Sequence, residues 1–288
     1  MEIALATDNN YALACGICIK SIFHNNINEI CNVYILTDGL SNKNIKKFNQ
    51  LSKLKNHHVN IVNISIEHFK NLKVSERFRV SIYYRFLLPD LINKPKILYL
   101  DCDIIVNDCL KELWDIDLAN YSCAAIEDQA GDDIKIHNRI GYDGTYFNSG
   151  VLLLNLDYWR KFSIKDKLVE FIYNNPDTCI FPDQDAINII LKNTIKRVGF
   201  KFNFQSLLLE GKENLLLHKN KWEQIENAKK KPIIIHYTDS CKPWHKECIH
   251  PLKDYFLHYK SISPWKKSPL TYYNFLGAVK NKIRKIWN

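Results

Sequence analysis

Three features of the 288-residue sequence predict an α/β fold built on a mainly parallel sheet. Short apolar runs alternate with segments of helical period through the first third of the chain, the order in which doubly wound sheets are laid down. Inner runs such as Ile97 to Leu100 and Val151 to Leu154 are continuously apolar, as strands covered on both faces are. Several runs close in polar or acidic residues, at Asp8, at Asp101-Cys102-Asp103 and at Glu127-Asp128. Ligands of such sheets bind there, beyond the carboxyl ends of the strands.

Each element follows from its residues. Glu2 to Thr7 reads as a strand, Asp8 to Tyr11 as a polar turn with N-cap character, and Ala12 to Phe23 as a helix. Strand, polar turn and helix N-terminus together make a pocket suited to a nucleotide. There Asp8 accepts from a base or ribose and Tyr11 stacks, or both simply cap. No G-x-G-x-x-G and no Walker A pattern is present, so phosphate has to be met by something other than a glycine loop. Cys15 and Cys18, three apart on the helix and without a second pair at zinc spacing, read as small core residues. Asn32 to Thr37 and Val59 to Ile64 are further strands, with Asn42 to Leu54 a helix between them. Ser81 to Leu91 is expected to be an apolar helix carrying Arg85, which needs a carboxylate or a phosphate as partner.

Ile97 to Val106 reads as one buried strand interrupted by Asp101 and Asp103, whose side chains fall on one side by strand alternation. Two carboxylates so close repel, and a divalent cation bound to both resolves the conflict. A polar turn at a strand end is the competing reading. Leu110 to Leu118 follows, then a strand over Ser122 to Ile126, and residues 129–145 have the composition of a surface loop. Tyr146 to Leu156 is a strand opened by Asn148-Ser149-Gly150, small groups that permit close backbone approach to a ligand, and a helical segment continues from Leu156 to Tyr173. Pro182 opens the next helix, with Asp183 as cap and Asp185 as dipole partner; these residues and Gln184 equally suit a sugar pocket. The run Pro232 to Ile235 ends in His236, either a hydrogen-bonded structural residue or a third metal ligand, with Lys242 in the following turn as a cation for phosphate.

A content of 46% hydrophobic residues supports a sizeable core. No apolar run approaches the roughly 18–20 residues of a membrane span, and the chain opens on a strand rather than a basic and then apolar leader, so a cytoplasmic location is expected. Nine cysteines in this setting are expected to be reduced thiols. The net charge of +9 is concentrated late: no acidic residue follows Asp254, whereas Lys260, Lys266, Lys267, Lys280, Lys282, Arg284 and Lys285 do. Tyr255, Phe256, Tyr259, Trp265, Tyr272, Tyr273, Phe275 and Trp287 are interleaved with them. Basic and aromatic residues mixed in this way suit an anionic membrane surface. Nucleic acid uses the same ingredients, but the charge is confined to the tail instead of lining a groove, and no nucleic-acid partner is expected.

Six stretches, LATDNNY, SIYYRFLLP, LYLDCDIIV, YFNSGVLLLNLDYWR, DQDAIN and HYTDSCKPWH, together resemble the retaining glycosyltransferases of family 8, most of all the bacterial lipopolysaccharide α-galactosyl- and α-glucosyltransferases. The resemblance runs from Ile3 to about His250. It implies a GT-A fold, Rossmann-like with a mixed, mainly parallel sheet flanked by helices, over residues 1–250, and a basic aromatic tail over 251–288 that attaches peripherally to the inner face of the bacterial cell membrane. It implies transfer of galactose or glucose from UDP-galactose or UDP-glucose to a glycan or glycolipid acceptor with retention of the α-configuration.

Carried onto this sequence, the resemblance implies that Ala6, Thr7, Asp8, Asn10 and Tyr11 hold uridine. Arg85 binds the sugar part of the donor, and Asp101, Asp103 and His236 bind manganese, or magnesium, at the diphosphate, with Cys102 between the aspartates. Asn148, Ser149, Asp183 and Gln184 face the transferred hexose, and Lys242 contacts the phosphates. Asp239 stands beside the phosphates where relatives commonly carry glycine, and is repulsive there unless turned away. Gln184 is the nearest side chain to the anomeric carbon but a poor nucleophile, which favours front-face substitution over a double displacement; Asp183 and Asp128 are the carboxylates that remain as nucleophile or positioning groups. The alternatives are a sugar nucleotidyltransferase, for which ATDNNY lacks the glycine- and basic-rich loop, and an inactive nucleotide-sugar-binding protein.

Overall fold

In the computed structural model, which describes residues 1–52, 56–70, 72, 79–210 and 219–273, β1 (Glu2–Ala6) leads through α1 (Ala12–Asn25) to β2 (Cys31–Thr37), and α2 (Asn42–Leu51) leads to β3 (His57–Asn63). A 3-10 helix over Val80–Leu87 runs into α3 (Leu88–Leu91), then β4 (Lys96–Leu100) and β5 (Ile104–Val106) follow. Next come α4 (Lys111–Trp114), β6 (Cys123–Glu127), α5 (Ile134–Ile140) and β7 (Phe147–Asn155). The chain continues through α6 (Leu156–Lys161), α7 (Ile164–Asn174), α8 (Pro182–Leu191), β8 (Ile195–Val198) and β9 (Phe204–Gln205). The last described elements are α9 (Trp222–Lys230), β10 (Ile234–His236) and α10 (Lys253–Ser261).

Seven strands form one sheet in the order β3-β2-β1-β4-β7-β6-β8. Only β7 runs antiparallel to its neighbours, so the sheet is mixed and mainly parallel. Alternation divides its side chains between two cores. Ile3, Leu5, Leu98 and Leu100 face α1 on one side; Ala4, Ile97, Tyr99, Leu152 and Trp159 pack on the other. Cys15 and Cys18 are fully buried in the first core.

The structure departs from the sequence expectations where backbone geometry overrides apolar patterning. Ile97 to Val106 is two strands, because the chain leaves the main sheet at Asp101 and Ile104–Val106 pairs antiparallel with β10 in a second sheet of order β5-β10-β9. The Ser81–Leu91 segment is mostly 3-10, with Arg85 Nε donating to the Ile82 carbonyl at 3.0 Å. The expected loop over 129–145 contains α5, capped by Asp133 and stopped at Gly141, where φ is 61°. The helix expected over Leu156–Tyr173 is broken at Ser163, a left-handed residue with φ of 50°. Helix α2 ends at Leu51; positions 53–54 of the expected element lie outside the described residues.

The segment assigned by composition to a membrane-facing tail is partly core. Phe256, Tyr259 and Trp265 are buried with α1. Trp265 lies over Gly16, where a Cβ would come within 2.2 Å of its ring, and packs edge-on against Phe48 with centroids 5.0 Å apart. These rings are therefore not available to a membrane surface, whereas Tyr255, Tyr272 and Tyr273 are exposed. Phe275, Lys280, Lys282, Arg284, Lys285 and Trp287 lie outside the described residues. Among the described residues no helix is long and apolar enough to cross a membrane.

Candidate functional site

The site gathers where β4 ends. The Asp101 N–H donates to the Gly150 carbonyl at 2.9 Å, and alternation carries Asp101 onto the face of Tyr99, whose hydroxyl donates to Asp101 Oδ1 at 3.0 Å. Arg85 is buried, stacks on the Tyr99 ring at 4.1 Å and donates to Asp101 Oδ1 (2.9 Å) and to the Ser149 carbonyl (2.6 Å). Its Nη1 also pairs with Asp183 Oδ2 at 3.0 Å. Of the carboxylate or phosphate expected to meet Arg85, the structure shows two carboxylates, Asp101 and Asp183.

Asp103 is tied to β10, its carbonyl accepting from the Tyr237 N–H at 3.0 Å. Its Oδ1 lies 3.2 Å from His236 Nε2, and its Oδ2 accepts from Lys242 Nζ at 2.7 Å. Burial alone would raise the Asp103 pKa, but the Lys242 ammonium and His236 outweigh it and hold the group well below the usual carboxylate range. His236 Nδ1 is 2.9 Å from Asn203 Oδ1.

Asp101, Asp103 and His236 each turn a ligand atom into one volume, all within 4.8 Å of one another. Gly150 keeps that volume open: a Cβ there would fall 2.4 Å from His236 Cε1 and 2.8 Å from Asp101 Oδ2. Two carboxylate oxygens and one imidazole fit manganese or magnesium better than zinc, and an imidazole held through its second nitrogen is the usual support of a metal-bound histidine.

A second constellation adjoins the first. Helix α8 is fastened to β7 by Asn188, which exchanges two hydrogen bonds with the Phe147 backbone. Asp185 is wholly consumed in fixing the helix start, accepting from Arg139, the Tyr146 hydroxyl and the Phe181 N–H. Asp183 is not the cap expected from sequence; Phe181 holds that position. Asp183 instead accepts from the Ser149 hydroxyl at 2.9 Å besides pairing with Arg85. Burial pushes its pKa up, offset in part by the Arg85 charge. Gln184 Oε1 accepts from the Ser149 N–H (3.0 Å) and Asn148 Nδ2 (3.2 Å), and its Nε2 donates to Asp128 Oδ2 at 3.2 Å. Asp128 also accepts from Asn148 Nδ2 (3.0 Å) and the Ala130 N–H (2.8 Å).

The strand-turn-helix opening completes the site. Thr7 is buried, the Ala6 carbonyl accepts from Cys102 Sγ at 3.2 Å, and Asp8 Oδ1 accepts from the Asn10 and Tyr11 N–H groups, both at 2.9 Å. Asp8 thus shapes the turn, while Asn10 and Tyr11 are exposed. The Tyr11 phenol lies near enough to Asp103 and Asp101 to feel their charge, and its edge meets Trp244. Asp239 is exposed. Sequence reading missed Tyr99 and Asn203. Tyr99 was accessible through strand parity with Asp101; Asn203 carries no motif and reaches the site only because β9 pairs with β10.

Known proteins resemble the chain along nearly its whole length. General stress protein A of Bacillus subtilis is 30% identical over 274 residues, covering 92% of this chain and 94% of that protein. Lipopolysaccharide glucosyltransferase WaaO of Escherichia coli is 31% identical over 283 residues, 94% of this chain and 80% of that one. The crystal structure of galactosyltransferase LgtC in complex with donor and acceptor sugar analogs superposes with a TM-score of 0.80 at 26% identity, covering 91% of this chain and 96% of that chain. The fold is accordingly the GT-A fold of that enzyme. The sequence profile of glycosyl transferase family 8 matches residues 2–248, and with relatives of this identity and coverage the chain belongs to that family.

Proposed function

We propose that the protein transfers galactose or glucose from the corresponding UDP-sugar to a sugar hydroxyl of a lipopolysaccharide or other surface-glycan precursor, retaining the α-configuration. Membership of a glycosyltransferase family supports the hexosyltransferase class. The names of relatives, a lipopolysaccharide glucosyltransferase and a galactosyltransferase, support both candidate hexoses and the acceptor class. The observation that carries the reading is the convergence of Asp101, Asp103, His236 and Lys242 beside the Asn148–Gln184–Asp128 network.

In this reading Ala6, Thr7, Asp8, Asn10 and Tyr11 hold the uridine at the carboxyl end of β1. Asp101, Asp103 and His236 would hold a divalent cation, manganese or magnesium, which would supply Lewis-acid neutralisation of charge on the departing UDP. Lys242 offers its ammonium to the same phosphates. Arg85 keeps Asp101 and Asp183 in place through its two ion pairs and orients the donor sugar with them. Asn148, Ser149 and Gln184 present a hydrogen-bonding wall to the hexose. The acceptor hydroxyl attacks from the face that UDP leaves, and a leaving phosphate oxygen takes its proton.

Front-face attack is favoured because the carboxylates and the amide oxygen of the network already serve fixed donors, Asp183 through its Oδ2. Asp183 Oδ2 takes Arg85 and Ser149, Asp128 takes Ala130, Asn148 and Gln184, and Gln184 Oε1 takes Ser149 and Asn148. A nucleophile that must first break such bonds is a poor one. The basic aromatic tail is proposed to attach the enzyme to the inner face of the membrane through anionic lipid.

The test is release of UDP from UDP-galactose and UDP-glucose without acceptor, with and without manganese. Asp103→Asn should abolish the manganese-dependent part with whichever donor is used; an unchanged rate would overturn the cation assignment.

A further inference from the structure

Asn203 is completely buried, just ahead of β9, whose Gln205 is in register with His236. Among the described residues its side-chain amide meets two polar neighbours: Oδ1 lies 2.9 Å from His236 Nδ1, and Nδ2 lies 2.9 Å from Asn148 Oδ1. Groups with only one possible role decide which end of each amide is oxygen. The Gly150 N–H can only donate, and it donates to Asn148 Oδ1 at 2.9 Å. The Asp128 carboxylate only accepts, and it accepts from Asn148 Nδ2 at 3.0 Å. Asn148 therefore turns oxygen toward Asn203, Asn203 must meet it with its NH2, and the Asn203 oxygen falls to His236. A hydrogen on His236 Nδ1 is the only complement to that oxygen, while Nε2 faces Asp103 Oδ1 at 3.2 Å, a place a bound cation would take over from any hydrogen there.

We propose that Asn203 is a positioning residue that holds His236 with its hydrogen on Nδ1, so that Nε2 is the nitrogen offered toward Asp101 and Asp103, and that it links this choice to the Asp128–Asn148 pair in the adjoining network. The inference rests on the reading of Asp101, Asp103 and His236 as cation ligands. Once Nδ1 is committed, the ligating lone pair and any exchangeable proton both belong to Nε2. Removing the Asn203 oxygen leaves the buried imidazole free to take the other tautomer, with Nε2–H directed at Asp103 and no lone pair for a cation.

The test uses two readouts on the whole chain. Long-range proton–nitrogen spectra of metal-free, 15N-histidine-labelled protein, with His236 assigned by its loss in His236→Gln, should show the hydrogen on Nδ1. Asn203→Leu should move it to Nε2, whereas Asn203→Asp, which keeps an acceptor at that place, should leave it on Nδ1. Manganese titration followed by electron paramagnetic resonance should give about 10- to 100-fold weaker binding in Asn203→Leu and a smaller loss in Asn203→Asp, whose carboxylate keeps the acceptor for Nδ1 but cannot donate to Asn148 Oδ1. Asn203→Ala serves in the same way if the leucine variant does not fold. A wild-type His236 without hydrogen on Nδ1, or an oxygen-less variant with unchanged tautomer and affinity, would overturn the proposal. If wild type binds manganese no better than His236→Gln, the cation reading fails, and the tautomer comparison still decides the role of Asn203.

Discussion

Lys242 Nζ lies 2.7 Å from Asp103 Oδ2 and also donates to the Tyr237 carbonyl at 2.6 Å, so the ammonium sits on the carboxylate proposed to bind a cation. In the proposed function both positive groups would use one carboxylate, and they would compete for it until a diphosphate drew the lysine away. Lys242→Gln should therefore bind free manganese more tightly than wild type in the absence of nucleotide, by about 10-fold if the displaced contact is worth about 1.5 kcal/mol. The same variant should bind UDP more weakly. Calorimetric titration of each ligand separates the two effects, and equal or weaker manganese binding in the variant would refute the competition.

The same pair makes a pH prediction for the metal-free protein. The folded Asp103 pKa is lowered, so the unfolded state binds more protons as pH falls past the ordinary carboxylate value of about 3.9. Its stabilisation is fully present above that pH and is lost as pH falls toward the folded value. Lys242→Gln should cost about 1.5–3 kcal/mol at pH 7, the worth of a hydrogen bond to a charged group. The gap should narrow below about pH 4. Urea denaturation at neutral and acidic pH reads both; a gap that widens with acid contradicts the assignment.

What the sequence disclosed depended on whether a residue's role is local. Asp101 and Asp103 do turn into one volume, but outside any strand, in the bend between β4 and β5, so strand alternation is not what brings them together. Alternation did not show the break either, since Ile104 to Val106 is as apolar as Ile97 to Leu100 and only pairing with β10 separates them. Composition made Asp183 a helix cap; its real partners, Arg85 and Ser149, are distant in sequence and invisible to capping rules. Asn203 was out of reach for the same reason. The gathering of His236 with the two aspartates came from family resemblance, as no local pattern marks one histidine at a strand end as a ligand.

Front-face substitution predicts that no sugar is carried on the protein. Incubation with UDP-galactose or UDP-glucose and no acceptor should leave the intact mass of wild type unchanged while UDP is released. Ser149→Ala, which frees Asp183 Oδ2 from one of its donors, should behave alike. A hexose adduct mapped to Asp183 or Asp128 would replace the front-face route with a double displacement.

The membrane proposal has to be tested by a cut that respects the core. Removing residues from Tyr255 onward would take away Phe256, Tyr259 and Trp265, which are 2%, 4% and 2% exposed. Emptying even one such aromatic site costs about 3–5 kcal/mol, so that truncation should fail to fold whatever the membrane does. A chain ending at Tyr273 keeps Trp265 over Gly16 and loses Lys280, Lys282, Arg284, Lys285, Phe275 and Trp287. It should melt near the full-length temperature and release UDP at the full-length rate. Co-sedimentation with vesicles containing anionic phospholipid should fall sharply, and the residual binding should lose most of its salt dependence, because each basic residue near such a surface contributes about 1 kcal/mol. Undiminished sedimentation of the shortened chain would move the anchor from these residues to the exposed Tyr255, Tyr272 and Tyr273 or elsewhere on the folded surface.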